Sequence, residues 1–140
     1  MTIWQRPGTR RVLVANDHFE IVDDGAVVWA RRTSAGYDSP QQVSDVHADV
    51  VQILDRLPRD ARQLFLDLRR ATGRNDPEFE RALAPHRKRF LHGWERTVIL
   101  VRSQVGRMQV QRHGQDDGGA PIVVTDPAEA ARLLGVDAVE

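Results

Sequence analysis

Three short apolar runs dominate the second half of the chain: Leu64-Phe65-Leu66-Asp67-Leu68, Val98-Ile99-Leu100-Val101 and Ile122-Val123-Val124. Each is too short for a helix and apolar at successive positions, so each reads as a strand covered on both faces. A parallel sheet flanked by helices supplies such cover, and helical segments lie between and after the runs. One begins at Asp76-Pro77 and turns Phe79, Leu83, Phe90 and His86 to one side, with Pro85 expected to kink or split it. Another spans Ser103 to about Arg112 with a weak face of Val105 and Met108. The last opens on Asp126-Pro127-Ala128-Glu129, a cap with a carboxylate three residues on, and closes at Gly135.

The first half is extended. Val12-Leu13-Val14, Phe19-Glu20-Ile21-Val22 and Ala26-Val27-Val28-Trp29-Ala30 read as three strands in antiparallel succession. Asp24-Gly25 is the hairpin signal between the second and third, since a two-residue turn asks for positive φ at both central positions. Ser39-Pro40 then caps a helix whose Val43, Val46, Val50, Ile53, Leu54 and Leu57 form one stripe, flanked by His47 and Val51 and ended by Pro58. The order β-β-β-α-β-α-β-α-β-α defines a single α/β domain. It has a mixed sheet, N-terminal strands antiparallel and later strands parallel, with about four flanking helices. Residues 1–10 read as a flexible arm, 11–135 as the domain and 136–140 as a tail.

Composition narrows the function. The 140 residues carry 20 Lys plus Arg against 20 Asp plus Glu, so no net charge points to nucleic acid or an acidic membrane. With no cysteine there is no disulfide, thiolate metal site or thiol nucleophile. The longest apolar run, Ala26 to Ala30, is far below the ~20 residues of a membrane span. No apolar leader opens the chain, and a cytoplasmic protein is the expectation. Lys88 is the only lysine beside 19 arginines, a bias read as codon usage rather than as a binding signal.

The run Leu64-Phe65-Leu66-Asp67 followed by a loop and helix, the element order, and the closing strand-Thr-Asp-Pro-Ala-Glu-Ala-Ala-Arg-Leu-Leu segment resemble a STAS domain. The likeness is greatest to the bacterial SpoIIAA-like, or anti-sigma-factor-antagonist, proteins and covers residues 11 to 135. It implies a signalling module that works by protein–protein contact. The family's switch is a phosphorylatable residue just after the aspartate. Here Leu68 and Arg69 follow Asp67, with Arg70 where a glycine would stand, so the usual phosphorylatable residue is missing at its position. This departure undermines the kinase-regulated mechanism and leaves the binding module, with Thr72-Gly73 three residues later as the displaced alternative that would make Thr72 the phosphosite. The resemblance extends to a lipid-binding fold, which makes carriage or sensing of a small apolar ligand the alternative function.

Parallel strands gather their carboxyl-end loops at one edge, where ligands bind. That edge collects Arg69, Arg70, Thr72, Gly73, Arg74 and Asn75 beside Ser103, Gln104 and Thr125, joined by Arg31 to Ser39 if the third strand is parallel to the later ones. Arginines near helix starts can hold an anion, and a phosphate-ester enzyme using Arg69, Arg70 and Arg74 is the third reading. Asp76 and Asp126 are expected to occupy two helix starts, leaving those near Ser39 and Ser103 open. No nucleophile elbow, Walker loop or dinucleotide fingerprint is present, so no catalytic residue is assigned and the chain is not read as an enzyme. No cofactor or metal is expected; His113 with Asp116 and Asp117 lacks the alternating ligands of a calcium loop, and His86 and His92 lie about 240° apart on a helix. His47 and His86 read as core-edge residues with one hydrogen bond each. Arg87-Lys88-Arg89 reads as a solvated face. Trp4, Trp29 and Trp94 would be contact anchors wherever exposed. The expected partner is a protein of unknown identity, with a homodimer open and neither nucleic acid nor a membrane span involved.

Overall fold

The computed structural model describes residues 10–72, 76–104, 106–108, 111 and 121–139. Six strands form one sheet in sequence order: β1 (Arg11–Ala15), β2 (Phe19–Asp23), β3 (Val27–Arg32), β4 (Gln63–Asp67), β5 (Arg96–Leu100) and β6 (Ile122–Val124). The first two pairings are antiparallel and the remaining three parallel. The expected α/β architecture with a mixed sheet is therefore the one adopted. Because β3 is parallel to β4, the loop after β3 does join the carboxyl edge.

The β2–β3 turn departs from the expected two-residue form. Gly25 has φ of +94°, but among the described residues no non-glycine has positive φ, so Asp24 does not share the left-handed region. The loop is instead Asp24-Gly25-Ala26. The Asp24 carboxylate closes it by accepting from the backbone N–H of Ala26 at 2.8 Å and of Val27 at 2.7 Å. Its second oxygen accepts from the Trp29 indole at 2.9 Å. Side-chain acceptance of this kind is the local chemistry that makes aspartate a turn former.

Helix α1 (Pro40–Leu54) and helix α2 (Pro77–Leu91) pack on each other and on one face of the sheet. Alternation along the strands sends Val28, Ala30, Leu64, Leu66, Ile99 and Val123 to that face. Val27, Trp29, Phe65, Val98, Leu100 and Val124 take the other, against α3 (Pro127–Leu134). Residues 104, 106–108 and 111 are helical and connect β5 to β6. On α1 the buried stripe is rotated from the expected one: His47 and Val51 are buried, whereas Val46 and Ile53 are only half-buried. The helix is wedged between sheet and α2, and its covered arc is broader than a single apolar stripe.

Pro85 does not split α2, which runs unbroken through it. Pro85 and Arg81, whose carbonyl loses its N–H partner, are both exposed, so water can satisfy that oxygen. On α3 the caps are as expected: Asp126 accepts from the N–H of Ala128, and Gly135 closes the helix at φ of +73°. Beyond it Val136 and Val139 pack back on the second core.

Candidate functional site

The carboxyl edge carries two different polar arrangements, one on each face of the sheet. On the α3 face, Asp67 ends β4 and is buried, with its carboxylate held by Arg69. The guanidinium meets it at 3.0 and 3.2 Å from Nε and 2.8 Å from Nη2, and the Arg69 backbone N–H adds a fourth bond at 2.9 Å. These bonds hold Arg69 above its ordinary pKa, against the opposing effect of its partial burial. A planar fork on a carboxylate is the geometry arginine is suited to, and here the acceptor is the protein's own.

Arg70 and Thr72 follow and are exposed; Gly73, Arg74 and Asn75 lie outside the described residues. The Leu68 N–H donates to Leu100 O at 2.9 Å, which seats the start of this loop beside the end of β5. Ser103 and Gln104 are exposed nearby in the sequence, and Thr125 is half-buried at the end of β6. The helix starts left open by the sequence reading are closed by their own serines. Ser39 Oγ accepts from Gln42 N–H at 3.1 Å, and Ser103 Oγ accepts from Gly106 N–H at 3.2 Å. Asp76 stands at the N-cap of α2 but makes no side-chain capping bond, contrary to expectation. Proline at the first helical position has already removed one of the N–H groups needing a partner.

On the α1–α2 face the same edge ends in a cluster of rings and cations that the sequence reading did not assemble. Arg32, at the end of β3, is 6% exposed. Its guanidinium donates to His18 O at 2.6 Å and Ala35 O at 2.9 Å, and lies 4.8 Å from the centre of the Tyr37 ring and 5.3 Å from that of Phe19. The His18 ring stacks on Tyr37 with 4.5 Å between centres and donates from Nε2 to Gly36 O. His47 meets Phe19 edge-on, and its Nδ1 donates to Val43 O at 2.8 Å. On the outer side, Ser44 Oγ bonds His86 Nε2 at 2.9 Å, while His86 Nδ1 is buried without a hydrogen-bond partner among the described residues.

Burial sets the protonation of this cluster. It lowers Arg32 and raises the Tyr37 phenol, each effect partly offset by the other group. It drives His47 down to about 4 from an ordinary 6.5, with Arg32, His86 and His18 adding to the fall and the Val43 bond opposing it. His86 sits at the core edge with one bond, as the helical pattern indicates, whereas His47 is buried with its one bond to Val43 O. His18, Arg32 and Tyr37 escaped that pattern because their meeting depends on a strand end, a turn and a loop that touch only in the folded sheet.

The opposite edge holds a groove of about 500 Å³ lined by Asp55, Arg59, Lys88 and Arg89 among others. Its Asp55, Arg59 and Arg89 are engaged by the protein itself. Arg59 donates to the carbonyls of Arg89, Phe90 and His92 at 2.6, 3.2 and 2.8 Å, closing the carboxyl end of α2. Asp55 pairs with both Arg59 and Arg89. Lys88 and Arg89 are exposed as expected, while Arg87 is drawn into a 2.7 Å pair with Glu80.

Trp29 is buried, and half-buried Trp94 is taken up by Phe90 O and the Arg59 guanidinium; Trp4 lies outside the described residues. Among the described residues no group of three or more His, Asp or Glu side chains is placed to hold a metal ion. His113, Asp116 and Asp117 lie outside them. No helix among them is long and apolar enough to cross a membrane. Comparison of the chain with protein-family models, curated proteins and solved structures gave no match.

Proposed function

We propose that the chain is a non-catalytic regulatory module of the bacterial STAS-like type that docks a protein partner, in the cytoplasm, through the carboxyl edge of its sheet. The observation that carries this reading is the Asp67–Arg69 clamp. It neutralises the loop's one buried carboxylate internally and fixes the loop's start, while Arg70 and Thr72 stay outward as contact groups. Arg69 is engaged by Asp67, so among the described residues phosphate-ester chemistry has no observation in its favour. Side chains of α1, α2 and α3 pack on the two sheet faces, and among the described residues no observation favours carriage of an apolar ligand. Thr72 is exposed, so a kinase could reach it, and a phosphate beside Arg70 would add about −1.5 to −2 charges to the contact surface.

A photo-crosslinking residue placed at Thr72 in the source cells should capture a defined partner. The same residue at exposed Arg56, in the turn after α1, should capture none. Arg70→Glu should cut the Thr72 adduct at least about fivefold, the effect of a charge reversal in a contact worth about 1 kcal/mol. Thr72→Ala should change folding stability by less than about 0.5 kcal/mol, as for other surface sites. Equal capture from both positions, or none at Thr72, overturns the docking reading. A second copy of this chain as the captured species would make the partner a homodimer.

A further inference from the structure

A buried guanidinium is costly unless a counter-charge or a full set of acceptors compensates it. No carboxylate among the described residues pairs with Arg32; it is held by two carbonyls and two aromatic faces. One of those carbonyls, Ala35 O, and one of those faces, Tyr37, belong to the loop of residues 33–39 that follows β3. The next carbonyl, Gly36 O, is held by His18 Nε2 at 3.1 Å, and the Tyr37 ring lies flat on His18. The middle of this loop is thus tied to the body of the protein through a cation and a histidine. Its ends are fixed separately, by Thr33 N–H to His18 O and by Asp38 N–H to Gln42 Oε1.

His47 on α1 lies under the same ring, with 5.7 Å between its centre and that of Tyr37. Its Nδ1 faces a carbonyl, which can only accept, so Nδ1 carries the proton of the neutral ring and Nε2 keeps the lone pair. A second proton therefore goes to Nε2, and the groups acting electrostatically on this ring share one sign. Arg32 approaches from β3, His18 from the β1–β2 turn and His86 from α2, with the neutral Tyr37 from the loop. The Phe19 and Tyr37 rings, which could stabilise a new imidazolium, already lie against Arg32.

We propose that residues 33–39 form a latch released by acid: a proton on His47 puts a second cation against the rings that hold Arg32, and Tyr37 swings out. The opening occurs at the same edge as the docking surface proposed above, but the latch stands or falls whether or not a partner docks there. Burial holds His47 at about 4 in the closed form. Once the ring is wetted its affinity for a proton returns toward the ordinary histidine value, so the open-to-closed ratio rises about 20-fold between pH 7 and pH 5.

Tyr37 is the single tyrosine of the chain, so 3-fluorotyrosine labelling gives one ¹⁹F resonance that reports this loop alone. On lowering the pH from 7 to 5 that resonance should move toward the solvent-exposed position while far-UV circular dichroism stays native. His47→Gln, which cannot take up the proton, should abolish the shift. Titration of the His47 imidazole by NMR in the unsubstituted protein, independent of whether the variant folds, should give the same midpoint as the ¹⁹F change. The latch is overturned if the resonance keeps its buried position until the dichroism is lost. An identical transition in His47→Gln, or different midpoints for the His47 ring and Tyr37, overturns it as well.

Discussion

The two faces of the sheet bury charge at the same edge in opposite ways. On the α3 face, Asp67 and Arg69 neutralise each other two residues apart, through a fork and a backbone bond. On the α1–α2 face, Arg32 sits among carbonyls and rings with His18 and His47 beside it and no carboxylate partner among the described residues. An opposite charge favours the charged form of its neighbour, whereas cations beside a histidine oppose an added proton. Among the described residues, the histidine depressed in this way, His47, lies on the α1–α2 face.

The largest effect expected is on the α3 face and independent of pH. Phe65 is 1% exposed and packs edge-on to Trp29, so Phe65→Ala should cost about 4 kcal/mol by denaturant unfolding. The slope of stability against pH should remain that of the parent; a changed slope would mean the faces are coupled through the sheet.

The next is the acid response of the other face. The folded-state pKa of His47 is depressed, so below the ordinary value the unfolded chain takes up a proton that the folded one refuses. Stability is complete above about pH 6.5 and falls as the pH drops below it, until the latch opens and the folded protein takes up the proton as well. Chemical denaturation at stepped pH should show this loss, and His47→Gln should flatten it. A slope unchanged in the variant would assign the acid response to another group.

The smallest effect separates the ion pair from the cation cluster. Asp67→Asn removes the charge from the carboxylate fork and leaves a half-buried arginine with a weaker acceptor, at a cost of about 2 kcal/mol. Denaturant unfolding of the variant at neutral pH checks this, and a cost under about 0.5 kcal/mol would show that the fork carries no net stability.

Much of the frame was legible because it depends on neighbours along the chain. Val98 to Val101 is apolar at every position, so a strand there had to be covered twice, and the α1–α2 layer and α3 provide that cover. Ser39-Pro40 and Asp126-Pro127 announced their helices by a hydroxyl or carboxylate that reaches a nearby N–H. Less legible were features decided by distant contacts. Pro85 stays inside a helix that packs on α1, at an exposed position where water can reach the orphaned carbonyl. Of the edge residues named from the sequence, Arg69 turned inward to Asp67, only two positions away, and the Asp-x-Arg spacing was the overlooked signal.

Alternation, caps and apolar runs, all local steric and hydrogen-bonding preferences, were enough to specify which segments are strands and helices and that the later strands lie parallel. Tertiary structure alone decided that Arg32 from a strand, His18 from a turn, Tyr37 from a loop and His47 from a helix share one buried space. Their electrostatic coupling acts through space across the sheet edge, and spacing along the chain carries no trace of it.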